Sequence, residues 1–125
     1  MATQEIPRDE WREFFDGFSR RHEGWLVTVE VLGSDIGAQV EAHERQLVGV
    51  TAETHGERQD EIAIIVGDSS QAHVTRSISD PAHVRLKRSA AGADEALEIE
   101  SASGTVTLVR FRSVMPPEMV DGIGP

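Results

Sequence analysis

At Gly24 the hydrophobic period of this chain changes from roughly 3.6 residues to 2. That switch constrains the fold more than any other feature. Ahead of it, residues 7–23, PRDEWREFFDGFSRRHE, set Trp11, Phe14, Phe15 and Phe18 at the i, i+3, i+4, i+7 spacing of one helical face. The flanks agree with a helix. Pro7 suits the first turn, where a missing N–H costs nothing. Asp9 and Glu10 lie near the positive N-terminal end, and Arg20, Arg21 and His22 near the negative C-terminal end. Gly24 falls where the backbone past a helix turns left-handed. Gly17 weakens the middle by about 1 kcal/mol relative to Ala, and is expected to mark a close approach to another element. Each large aromatic buries about 150–250 Å² when docked, so the helix is expected to lie as a lid on the core. A cofactor-binding role for the same face is the competing reading, and core packing alone accounts for the spacing.

Downstream the pattern is that of short strands. In WLVTVEVL, Trp25, Val27, Val29 and Val31 share one face. GSDIG, residues 33–37, is turn material. Residues 38–53 are too long for one straight strand, and the polar HERQ in their middle predicts a bend, a bulge or a tight connection. EIAIIVG, residues 61–67, has apolar residues at both parities and reads as a central strand covered on both faces. Residues 73–79 and 82–88 form two arms broken at Asp80-Pro81, because proline lacks a ladder donor. ALEIES and TVTLVRFRS make a hairpin across Ala102-Ser103-Gly104. The tail from 114 is rich in Pro and Gly and is expected to be loose or to dock through Met115, Met119 and Val120.

One helix followed by six or seven mostly antiparallel strands predicts a mainly β (α+β) fold. The N-terminal amphipathic helix would pack on a small SH3/Sm-like barrel or curved sheet. With 125 residues and no sign of a linker, a single domain over 1–125 is expected, with the β-rich body at about 25–113. Cysteine is absent, which removes disulfides, thiolate metal sites and a cysteine nucleophile. No apolar run reaches the roughly 20 residues of a membrane span, and MATQEIPRDEW lacks a signal-peptide pattern. The expected location is the cytoplasm.

The stretch HVTRSISDPAHVRLKR, residues 73–88, is the anomaly. The chain carries a net charge of −10, yet this stretch holds Arg76, Arg85, Lys87 and Arg88 against Asp80 alone. Two readings compete. In the first, His83, Arg85 and Lys87 share the outer face of one strand beside Glu98 and Glu100 of the next, flanked by Arg110 and Arg112, and the charges pair internally. Cross-strand pairs of opposite sign contribute about 0.2–1 kcal/mol each. In the second, Arg76, His83, Arg85, Lys87 and Arg88 form a binding patch for a small anion, RNA or an acidic partner. No Gly-rich phosphate loop leads into a helix, and the global charge disfavours RNA and argues against DNA and anionic membranes.

Catalytic patterns are missing. The histidines at 22, 43, 55, 73 and 83 make no metal-ligand spacing. His43 between Glu41 and Glu44 reads as a surface histidine rather than a nickel or zinc ligand. GDSS is not a nucleophile elbow, and the acids of the helix read as a solvated face. No catalytic, metal or cofactor residue is assigned and no enzyme activity is expected.

The segments EIPRDEWREFFDGFSRRHEGWLVTVEVLG and ALEIESASGTVTLVRFRS, with IGAQVEA and HVRL between them, resemble a small bacterial family described only as a domain of unknown function. The resemblance covers about residues 4–113 and implies no site residues. It leaves the functional expectation as a non-enzymatic interaction module that binds a protein partner or itself. The alternative is a binder of a small anionic ligand or RNA through residues 73–88.

Overall fold

The structure is a computed structural model that describes residues 2–33, 37–53, 61–68 and 72–111. The order is β1 (Ala2–Ile6), a 3₁₀ turn (Arg8–Glu10), α1 (Trp11–His22), β2 (Leu26–Gly33), β3 (Gly37–Glu53), β4 (Glu61–Asp68), β5 (Ala72–Ser79), β6 (Pro81–Arg88), β7 (Asp94–Ser101) and β8 (Val106–Phe111). All eight strands join one antiparallel sheet in the order β1-β6-β7-β8-β2-β3-β4-β5. The fold is the expected mainly β one with a single helix. Of the two architectures foreseen, the sheet takes the curved, open form: β1 and β5 are its ends and do not pair, so the barrel does not close.

The sheet is nonetheless strongly rolled. One residue, Asp80, separates β5 at one edge from β6, second from the other edge. Asp80 sits in the left-handed region at φ 51°, which Asp tolerates better than most residues, and its carbonyl accepts from Ala102 N–H at 2.8 Å. Pro81 then starts β6, a position where its missing N–H costs no ladder bond.

The helix forms where the aromatic spacing placed it. Trp11, Phe15 and Phe18 are essentially fully buried and join one core with Val27, Val29, Ile64, Leu86, Leu97, Ile99 and Val109. Phe14 packs on the margin of that cluster. Trp11 Nε1–H donates to Ile6 O at 2.9 Å, so the buried indole is satisfied. Ser19 fixes the helix to β3: its hydroxyl donates to Val50 O at 3.0 Å and accepts from Val50 N–H at 2.8 Å. The close approach is at Gly49, where a Cβ would lie 3.4 Å from Ser19 Oγ. It is not at Gly17, whose Cβ would meet only Arg21 Nη1, also at 3.4 Å.

Past the helix, Gly24 adopts φ 87° and its N–H donates to Leu47 O at 2.8 Å. Trp25 departs from the expected strand face. It precedes β2, is 47% exposed, and meets His22 and Phe111 edge-on. The strand face itself is Val27, Val29 and Val31, all buried. Residues 37–53 form one strand bent at HERQ, where Glu44 takes φ 50° and the register with β2 slips between Val27 and Glu30. The first arm of β3 pairs with β2, and the second pairs with β4 from Gln46 onward. In β4, Ile62, Ile64 and Val66 are buried while Ala63 and Ile65 are half-buried, so its second face is only partly covered. Strand β1 has no counterpart in the hydrophobic pattern of the sequence. Five residues with one large apolar side chain, Ile6, give too short a pattern to read, and pairing with β6 decides it. THGERQD, residues 54–60, whose composition predicts a loop, residues 69–71, Arg112 and the tail lie outside the described residues. GDSSQA, residues 67–72, reads as a loop or a single helical turn, but β4 runs to Asp68 and β5 starts at Ala72, because both ends are laddered to each other.

Candidate functional site

The two arms of the basic stretch present their cations to different surroundings. On β6, Val84 and Leu86 are buried inward, which turns His83, Arg85 and Lys87 outward. Antiparallel register sets Arg85 opposite Glu98 on β7 and opposite Glu5 on β1, and His83 opposite Glu100. Arg85 Nη1 lies 2.9 Å from Glu98 Oε2 and 3.1 Å from Glu100 Oε1, and its Nε lies 3.3 Å from Glu5 Oε1. Lys87 Nζ reaches Glu98 at 3.1 Å, and His83 Nδ1 reaches Glu5 at 2.7 Å. The hydrogen bond to Glu100 raises the Arg85 pKa; partial burial opposes this, and the charges of Glu98 and Glu5 add to the rise. At Glu5 the hydrogen bond from His83 holds the carboxyl below the usual carboxylate range, against a smaller desolvation effect and with help from the His83 and Arg85 charges. Arg110 does not flank the β7 glutamates; it pairs with Glu30 on β2 at 3.2 Å.

Arg88 closes the strand at a bulge, donating from Nε to Asp94 Oδ1 at 3.2 Å and from Nη1 to Gln4 at 2.9 Å. Asp94 is shared. Its other oxygen lies 3.0 Å from Nε2 of His22, a buried ring at the end of α1. His22 Nδ1 is 2.9 Å from Phe18 O, and the ring stacks on Phe111 with centroids 4.8 Å apart. The last residue of the helix is thereby tied to the start of β7. Helical periodicity placed His22 at a helix end but gave no sign of this partner, which comes from another part of the chain.

Arg76 stands apart from the other four. Register pairs it with Ile64, whose side chain is buried inward, so Arg76 belongs to the inner face of β5 with Val74 and Ile78. No ion pair joins it to a carboxylate among the described residues, and its Nε is buried without a hydrogen-bond partner. The side chain separates two cavities. One, of about 140 Å³, is walled by Val29, Glu41, Ala42, Ile64, Val66 and Val74. The other, of about 200 Å³, opens toward the β7–β8 turn and is lined by Ser79, Ser101, Ser103, Thr105 and Thr107. The sequence does carry a signal for this second cavity. Ser101 and Thr107 continue the inward parity of Leu97, Ile99, Val109 and Phe111, and both are buried. Polar residues at core parity mark a place where the interior is not filled by apolar side chains.

Among the described residues, no three His, Asp or Glu side chains converge as a metal-ligand set, and no helix is long and apolar enough to cross a membrane. Compared with known proteins, residues 2–119 match the model of a family described as "Family of unknown function (DUF5335)". The chain belongs to that family. The DUF5335 match spans β1 to β8, so the β6 ladder and Arg76 both lie inside it. A relative is an uncharacterized protein of Aquifex aeolicus (strain VF5), 26% identical over 116 residues that cover 93% of this chain and 97% of the relative. No solved structure matches this DUF5335 chain.

Proposed function

We propose that this chain is a non-enzymatic, single-domain interaction module that takes up an extended strand of a protein partner, or of a second copy, along β5. The observation that carries the reading is the state of that edge. Among the described residues no strand pairs with the far side of β5, an eight-residue strand fully laddered to β4 on its near side. An open edge of this length is a template for another strand unless it is blunted by lysine, proline or brevity. The segment Ala72–Ser79 contains neither lysine nor proline; its one guard of the charged kind is the inward-pointing Arg76, and Val74 is 47% exposed. The opposite end of the sheet is guarded. Strand β1 has five residues, Gln4 and Glu5 are held by β6 side chains, and Pro7 follows at once. The first arm of β3 ladders to β2, while its ladder to β4 begins only at Gln46, beside the smaller cavity.

Light scattering across a concentration series, with hydrogen exchange over residues 72–79, tests self-association; affinity capture tests a partner. Thr75→Lys, on the outer face of the edge, is expected to abolish either association while leaving the fold intact. A monomer at all concentrations, whose captured proteins are the same for wild type and Thr75→Lys, refutes the reading.

A further inference from the structure

We propose that Arg76, with the hydroxyls of Ser101, Ser103, Thr105 and Thr107, forms a binding site for a phosphate group, free or as the monoester of a small molecule. The starting point is the buried Nε of Arg76, which lacks a partner inside the described structure. A charged donor left unsatisfied away from water carries a desolvation cost, and His83, Arg85, Lys87 and Arg88 all have partners. The cost is relieved if an acceptor enters from the adjoining cavity of about 200 Å³.

The wall of that cavity specifies the acceptor. Among the described residues, its polar side chains besides Arg76 are hydroxyls, and no carboxylate lines it. Ser101 Oγ and Ser103 Oγ are 2.7 Å apart, and Ser103 Oγ donates to Thr105 Oγ1 at 3.4 Å, so the turn already presents a connected row of hydroxyls. A guanidinium offers Nε–H and an Nη–H as a fork to two oxygens of one anion. A planar carboxylate would spend both oxygens on that fork. A tetrahedral phosphate keeps further oxygens for the hydroxyl row. Glu41 lines the cavity on the other side of Arg76 and disfavours an anion there, which places the phosphate on the hydroxyl side. The net charge of −10 works against any anion at long range, so attraction must be local and the bound group small.

The Nε–H resonance of Arg76 in ¹⁵N-labelled protein reads the site directly, assigned by its loss in Arg76→Met. Titration with inorganic phosphate and with glycerol 3-phosphate is expected to move it saturably, and acetate at matched ionic strength is not. Equal responses to the two phosphates point to the bare group; a tighter monoester points to contacts beyond it. Arg76→Lys keeps the charge but loses the fork, and phosphate binding is expected to weaken at least about tenfold. Thr107→Val should weaken it as well. An Arg76 resonance unmoved by either phosphate in the wild type overturns the site, whatever the variants do. An equal response to acetate overturns its assignment to phosphate.

Discussion

Strands β5 and β6 meet at one residue and share a basic composition, yet they use their cations in opposite ways. On β6, four basic residues face carboxylates or an amide supplied by β1 and β7, and they are consumed in holding three strands in register. On β5, Arg76 points into the rolled sheet between a hydroxyl-lined cavity and a largely apolar one that Glu41 borders, with no ion pair among the described residues. The left-handed Asp80 between them lets two successive strands lie near opposite edges of the sheet. Local charge density therefore says little about availability. What matters is which face of the sheet a cation occupies and what the neighbouring strands place beside it.

Substitutions can sharpen or break this contrast. The largest effect is expected for Arg85→Met, which leaves Glu98 and Glu100 without their main partner in a half-buried ladder. Unfolding in denaturant should show a loss of about 1–3 kcal/mol, less than for a fully buried pair because solvent screens part of the interaction. A neutral result would mean that the ladder is decorative and that β6 is as available as β5.

Asp94→Asn comes next, since it weakens the contacts to Arg88 and His22 together. A loss of about 1–2 kcal/mol is expected, with faster hydrogen exchange at the C-terminal turn of α1. Arg76→Met should act with the opposite sign. Removing an unsatisfied guanidinium while keeping an apolar stem is expected to raise stability by about 1 kcal/mol in phosphate-free buffer. A clear destabilisation would show that Arg76 is a structural cation like those of β6.

The smallest effect concerns pH. The Glu5 carboxyl titrates lower in the folded chain than in the unfolded one, so its contribution is complete above the ordinary glutamate range. It disappears as pH falls through the lower folded value. After correction for the intrinsic pH dependence of exchange, protection of the β1 amides should fall across that acid window in the wild type and stay constant across it in Glu5→Gln.

Much of this was legible along the chain. The aromatic spacing at 11, 14, 15 and 18, the break at Asp80-Pro81, the kink at HERQ and the facing of Arg85 toward Glu98 all follow from local periods of 3.6 and 2 and from backbone preferences that act between near neighbours. Strand β1 and the Arg110–Glu30 pair were beyond reach, because each is decided by a strand distant in sequence. The same holds for the burial of the Arg76 Nε atom. Its parity puts it with Val74 and Ile78, but only the roll of the sheet brings the serines and threonines of the β7–β8 turn against it. The sequence alone determined which residues share a helix or strand face, since covalent geometry sets those periods. The tertiary structure decided which cations of the basic stretch are paired with carboxylates and that Arg76 is not, since that depends on which strands the curl of the sheet brings beside each of them.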